Sequence, residues 1–240
     1  MTTSVQVRST TPADVPIIFE QICALAEYEK LRHEVTGTPI ALDKHLFGDR
    51  PCIEALIAEI AGAPVGFALY FPSYSTLTLQ PGFYLEDLFV QPIVRGQGVG
   101  KALLKTLAQR VIDRQWNYLN WAVLDWNAPA IAFYKRIGAE ISEDVRVCRL
   151  AGDALLQLGD RSSAARSATS ADIQAVYDLV RANVEADGGS FHGRLEVLEA
   201  DLFGDRPFAE AIVIEQDCEI AGLALYFTSY STFLTQPGLY

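Results

Sequence analysis

The chain has 240 residues, 50% of them hydrophobic, and a formal net charge of −11. Such a composition excludes a disordered chain and leaves room for one large or two modest domains. The acidic balance argues against a nucleic-acid partner, because phosphate neutralisation needs clustered Lys and Arg.

In chain order, Val5 to Arg8 alternates like a first strand. Thr10 to Asp14 carries a hydroxyl cap, a proline for the first helical turn and an early acid. Ile17, Ile18, Ile22, Leu25 and Ala26 give that helix its apolar face, and Tyr28, Glu29 and Lys30 end it. A second short helix is expected over Ile40 to Leu46. Glu54 to Ile60 and Val65 to Phe71 read as two strands joined by a turn at Ala61 to Pro64. Pro72 to Pro81 reads as a polar, aromatic loop, leading to a buried strand that Pro92 stops. Next, Arg95-Gly96-Gln97-Gly98-Val99-Gly100-Lys101 opens a helix with Leu103, Leu104, Leu107, Val111 and Ile112 at helical spacing. A strand over Tyr118 to Leu124 follows, then a helix from Asn127 with Gly138 as its stop. Val145 to Leu150 reads as a last strand and Ala151 to Leu158 as a helical tail. This order predicts an α/β (α+β) fold with a mixed central sheet and helices on both faces.

The chain then starts again. Arg166 to Ile173 echoes Arg8 to Val15, and Leu202 to Tyr240 matches Leu46 to Tyr84 without a gap, offset by 156 positions (202 − 46). LFGDRP recurs, GFALYFPSYST returns as GLALYFTSYST, and QPGFY returns as QPGLY. Such a period marks duplication of a domain rather than a short solenoid repeat. The expected organisation is a complete domain over 1–158, a linker over 159–165 and a partial copy over 166–240. The partial copy is expected to pack on the first domain or in a homodimer, since a half domain leaves an open core and an unpaired sheet edge.

Small residues at a helix start leave backbone N–H groups free to face an anion, and glycine lets phosphates approach. The spacing around Gly96, Gly98 and Gly100 fits neither G-x-x-x-x-G-K-[ST] nor G-x-G-x-x-G. Its form, Arg-x-x-Gly-x-Gly after a strand, resembles the acetyl-CoA pyrophosphate loop of the GCN5-related N-acetyltransferase (GNAT) superfamily. Together LAEYE, LFGDRP, GFALY, YLEDLFV, RGQGVG and WNAPAIAFYKRIGA resemble its diamine branch, the spermidine/spermine and thialysine N-acetyltransferases. The resemblance covers residues 5–150, with 166–240 as a truncated second copy.

That resemblance implies acetyl-CoA as co-substrate, a small-molecule amine as acceptor, direct transfer and no metal. It assigns Arg95, Gly96, Gln97, Gly98, Val99, Gly100 and Lys101 to the pyrophosphate, and the backbone of Leu88, Phe89 and Val90 to the cofactor arm. Asn127 matches a cofactor-contacting asparagine, although a plain helix cap gives the same residue. Tyr134 matches the general-acid tyrosine and also contacts the cofactor; outside its motif it would read as a core aromatic. A cationic amine must lose a proton before it attacks, and a carboxylate can accept it. Glu86 and Asp87 are adjacent on a strand, so their side chains are expected on opposite faces and only one in the cleft. Glu86 is the base candidate by analogy, leaving Asp87 to bind substrate or hold the structure. Glu27, Tyr28 and Glu29 lie where the family shapes its amine pocket, and acidic and aromatic groups suit an ammonium. Their other reading is a solvated helix end. The Pro72 to Pro81 loop is a further candidate and lacks the tryptophan of the mammalian polyamine enzymes. Alternatives are a non-catalytic acyl-CoA-binding regulatory module, or an acetyltransferase of a protein or antibiotic amine.

His33, His45 and His192 stand apart and read as surface or structural histidines. Cys23, Cys52, Cys148 and Cys218 form no C-x-x-C, so they read as small hydrophobes rather than metal ligands or disulfides. No leader-like start and no apolar run near the ~20 residues that span a bilayer is present. No membrane partner and a cytoplasmic location are therefore expected.

Overall fold

Five strands form one sheet in the order β1-β2-β3-β4-β5: β1 (Val5–Ser9), β2 (Glu54–Ile60), β3 (Ala63–Ser75), β4 (Gln80–Val90) and β5 (Leu119–Trp121). Neighbours are antiparallel except β4 and β5, which run parallel. The computed structural model describes residues 4–159, 165–217 and 219–240. The expected linker therefore falls largely outside the described residues, as does Cys218.

One sheet face carries α1 (Val15–Tyr28) and α2 (Pro39–Phe47), whose Ile18, Ile22 and Leu42 bury against Ile57, Phe67, Leu69 and Phe89. The other carries α3 (Val99–Asp113) and α4 (Ala128–Arg136), with Leu103, Leu104, Leu107 and Tyr134 over Leu56, Ala68, Tyr70 and Phe83. α1 is entered through a 3-10 turn over Pro12–Asp14, with Thr11 and Asp14 in a capping box. The β2–β3 turn tightens onto Ala61 and Gly62, both at positive φ (52° and 78°), as a two-residue hairpin requires. The helix α5 (Gly152–Leu158) realises the expected tail.

Three expectations need correction. Pro72 to Pro81 is no loop: β3 and β4 stay paired from Pro72↔Phe83 to Ser75↔Gln80, leaving only 76–79 as the connection. Beyond Tyr70 β3 has no β2 neighbour, and such an edge tolerates a proline. Val145 to Leu150 is not a strand; Val145 and Val147 are exposed and no described strand lies beside them, so alternation alone found no partner. Ile112 faces solvent, because the helical step that buries Leu107 and Val111 carries it off the stripe.

After α5 come β6 (Ala165–Ser167), a 3-10 turn over Ser170–Asp172, α6 (Ile173–Ala186), α7 (Leu195–Phe203), β7 (Glu210–Gln216) and β8 (Glu219–Tyr226). β6, β7 and β8 make a second antiparallel sheet in that order, followed by a hairpin of β9 (Thr228–Ser231) and β10 (Gln236–Leu239). Val176, Val180, Leu198, Leu202, Val213, Phe227 and Tyr230 join the same buried cluster as α1, α2 and β3. The seam is also polar. Thr36 N and Gly37 N donate to Phe233 O at 3.0 and 2.9 Å, and Tyr230 Oη lies 3.2 Å from His45 Nδ1. A Cβ on Gly37 would stand 2.6 Å from the Thr235 side chain, and one on Gly193 2.3 Å from Leu79. No described helix is long and apolar enough to cross a membrane.

Candidate active site

β4 pairs with β5 only at Phe83, Tyr84 and Leu85, then runs on to Val90 alone on that side. The gap opens a cavity of about 940 Å³, inside the size range of small-molecule sites. It is walled by Leu88, Phe89 and Val90 of β4, the α3 start, α4 and the end of α1.

At the α3 start, Gly96 and Gly98 take positive φ (79° and 87°), and a Cβ on either would meet open space. The glycines therefore serve backbone shape and leave a cradle that side chains do not fill. Intrahelical bonding begins at Ala102 N to Gly98 O (2.9 Å), so the N–H groups of Val99, Gly100 and Lys101 have no helical acceptor. Arg95, Gly96, Gly98, Val99, Gly100 and Lys101 line the cavity; Gln97 is exposed and does not. Arg95 donates Nε to Val90 O at 3.0 Å and stacks its guanidinium 4.6 Å above the Tyr28 ring. A loop with unbonded N–H groups beside an unpaired strand edge has the geometry to take an extended ligand with a phosphate head and an arm able to hydrogen-bond backbone.

Asn127 caps α4 through Ala130 N (3.3 Å) and accepts from Tyr28 Oη (3.3 Å). Tyr28 thus belongs with Arg95 and Asn127 at the loop end of the cavity. Glu29 lines the cavity beside it, and burial raises its pKa. Glu27 does not join them: it is exposed, about 200° round the helix from Leu25, while Leu25, Tyr28 and Glu29 share the inward face. Tyr134 is buried, edge-on to Trp121 with centroids 5.1 Å apart, and its hydroxyl is pushed up to about 12 by burial and by Glu29. It holds its proton at neutral pH and lines the cavity.

The expectation that only one of Glu86 and Asp87 faces the cleft is overturned. Leu69 pairs with Asp87 but Tyr70 with Leu85, so Glu86 is the extra residue of a β-bulge. Before it Phe83 and Leu85 face α3; after it Leu88 and Val90 do, while Asp87 and Phe89 point to the α1 side. The bulge breaks strict alternation, and both carboxylates reach the cavity. Burial first, then the Asp87 and Glu29 charges, push Glu86 up to about 8, against the opposing pull of Arg149. Asp87 is pushed to about 7 by burial and Glu29, partly offset by the Thr232 side chain. Its Oδ2 is buried with no hydrogen-bond partner among the described residues.

Sequence reasoning missed Arg149 and the trio Ser231, Thr232 and Phe233, which line the same cavity. Arg149 lies in a stretch without regular structure, and the trio arrives only when the β9–β10 connection packs on β4. No local pattern signals either. Among the described residues no group of three or more His, Cys, Asp and Glu is placed to hold a metal.

The chain is similar to known proteins in sequence and in fold. The model of the acetyltransferase (GNAT) family matches residues 21–139. A thialysine N-epsilon-acetyltransferase of Mus musculus is 37% identical over 169 residues, spanning 66% of this chain and 99% of the relative. An L-ornithine N5-acetyltransferase of Arabidopsis thaliana is 30% identical over 195 residues, 62% of this chain and 86% of its own. An integron cassette protein from the mobile metagenome of V. cholerae superposes with a TM-score of 0.55 at 26% identity, over 65% of this chain and 97% of that one. The chain belongs to the acetyltransferase (GNAT) family.

Proposed function

We propose that the chain transfers the acetyl group of acetyl-CoA to a primary amine of a small diamine, of the thialysine or polyamine type. The observation that carries this reading is Asp87: a buried carboxylate that lines a cavity with Glu86 and Glu29, and whose Oδ2 has no hydrogen-bond partner among the described residues. Burying an unpaired carboxylate is costly, and an ammonium is the group that offsets that cost. Relatives whose names carry thialysine and L-ornithine, both amines, support the same substrate class.

In this reading Arg95 to Lys101 hold the pyrophosphate, and the unpaired edge from Leu88 to Val90 holds the arm. Asn127 fixes the α4 start beside it. Acetyl-CoA supplies the activated acetyl group. Asp87 and Glu29 hold the distal ammonium. Glu86, tuned near neutrality, accepts the proton that the attacking amine must shed. Tyr134 gives its proton to the departing sulfur and regains one from the nitrogen, whose second proton leaves as the amide forms, so the proton count closes.

The reading includes the architecture. Residues 1–158 form the catalytic domain, and 166–240 form a partial second copy packed on it as a dimer mate would. Supporting this, contacts across the seam come in pairs offset by 156 positions. Gly37 meets Thr235 as Gly193 meets Leu79, and His45 faces Tyr230 as Asp201 faces Tyr74. Paired contacts of this kind are the mark of two-fold packing. Tyr84 and its counterpart Tyr240 stand 6.2 Å apart, as residues beside such an axis would.

The test is thiol release from acetyl-CoA with polyamines, thialysine, ornithine, lysine, aminoglycosides and peptide N-termini. Turnover with a small diamine and not with its monoamine analogue supports the reading. Silence across the panel with acetyl-CoA still bound overturns it in favour of a regulatory acyl-CoA binder.

A further inference from the structure

We propose that the β7–β8 face turned away from α6 is a docking site for an amphipathic helix carrying two arginines one turn apart. The chain itself holds the template. In the first sheet α3 sends Arg110 and Arg114 onto three neighbouring groups: Ser9 of β1, opposite Leu56, and Glu54 of β2, opposite Tyr70 of β3. Arg110 Nη2 donates to Ser9 Oγ (2.6 Å), Arg110 Nη1 to Glu54 Oε2 (3.1 Å) and to Tyr70 Oη, and Arg114 Nη2 to Glu54 Oε1 (2.8 Å). Tyr70 Oη in turn donates to Glu54 Oε2 at 3.1 Å.

The second sheet repeats that receptor. Ser167 pairs with Ile212 as Ser9 pairs with Leu56, and Glu210 pairs with Tyr226 as Glu54 pairs with Tyr70. Tyr226 Oη donates to Glu210 Oε2 at 3.3 Å, so two of the three groups are already engaged as their counterparts are. No described arginine reaches Glu210 or Tyr226.

The apolar floor repeats too, and it is uncovered. Leu56, Ala58 and Ala68 lie at 0% exposure beneath α3. Their register counterparts are Ile212, Ile214 and Ala224; Ile214 is 47% exposed, Ala224 exposed and Ile212 half-buried. The opposite face of the same strands is closed by Ala211 and Val213 in the core. An uncovered apolar strip beside an acid–tyrosine pair is complementary to one kind of helix: small and branched apolar residues on one stripe, with arginines at i and i+4. A lipid surface does not match it, because Glu210 and Glu215 stand at its edge.

The probe is a synthetic peptide of residues 99–114, kept helical by a staple between positions 105 and 109 on its outward face. Binding to the full chain is read by fluorescence anisotropy, and its place by hydrogen exchange over 210–226. We expect saturable binding with protection of β7 and β8. Glu210→Arg in the chain, or Arg110→Ala with Arg114→Ala in the peptide, should each weaken it at least about tenfold, the loss of a charge-assisted hydrogen-bond pair. Ile214→Asp, which changes the floor and not the receptor, should weaken it as well. A stapled peptide that does not bind, or that binds the Glu210→Arg chain equally, overturns the proposal. So does sedimentation showing a dimer that Ile214→Asp converts to monomer, since a second copy would then be the occupant.

Discussion

Replacing Asp87 with asparagine should make the protein more stable and less active. Asp87 titrates at about 7 in the fold against an ordinary 3.8, mainly because it is buried. For an acid whose folded pKa is raised, stability is fullest below the unfolded pKa, falls as pH climbs through the window from 3.8 to about 7, and stays low above it. Each pH step in that window is worth about 1.4 kcal/mol, so the ionised group costs on the order of 4 kcal/mol at pH 8.5. Asparagine removes that cost but leaves a buried amide without a partner, worth about 1–2 kcal/mol. The net gain is about 2 kcal/mol, or about 4–8 °C in melting temperature for a chain of this size. At pH 5 the two contributions are about equal and the difference should vanish. The assay is thermal unfolding at pH 5.0 and 8.5, with turnover measured in parallel. KM for the amine should rise at least about tenfold, because the charge facing the ammonium is gone. A melting temperature unchanged or lowered at pH 8.5 would refute the account of Asp87 as a strained, substrate-facing carboxylate.

Tyr134→Phe should lower kcat about 100-fold, a typical share for a positioned acid, while acetyl-CoA binding measured by calorimetry stays intact; unchanged turnover removes the acid role. The rate should rise with pH through about 8 as Glu86 loses its proton, and a profile flat from pH 6 to 9 contradicts Glu86 as base. Thr232→Val deletes a group that lowers the Asp87 pKa, so in the melting-temperature profile the pH window of declining stability should extend upward, whereas a merely structural Thr232 would move the melting temperature equally at every pH. Gly37→Val places a Cβ 2.6 Å from Thr235 and 2.8 Å from the Leu234 carbonyl carbon. Overpacking there should cost about 1–3 kcal/mol and speed limited proteolysis near residues 231–235; an unchanged digest would mean the seam is loose.

Much of the first 158 residues was legible in the sequence. The glycines at 96 and 98 announce a loop with positive φ, the apolar stripe from Leu103 to Val111 announces the helix behind it, and Asn127 and Pro129 announce the start of the next. These are local signals, set by φ preferences and helical period, and they need no tertiary partner to be read. Helix spacing also held the means to separate Glu27 from Tyr28 and Glu29, once the direction of the core was known.

Other features depend on distant partners. The bulge at Glu86 arises from how Leu69 and Tyr70 register against β4, and that shift brings two neighbouring carboxylates into one cavity. The raised pKa values of Glu86 and Asp87 come first from burial, for Glu86 next from its neighbour Asp87, and for both also from Glu29, more than fifty positions away in the chain. Val145 to Leu150 alternates like a strand yet pairs with no described strand, because a strand needs a neighbour and alternation supplies none. The sequence by itself determined the helices that frame the cavity, the glycine cradle and the repeated stretches. Only the tertiary structure decided that Thr232 lies against Asp87 and that Ser231 to Phe233 close the cavity, because packing between segments remote in sequence sets proximity, and proximity sets the electrostatics of a buried site.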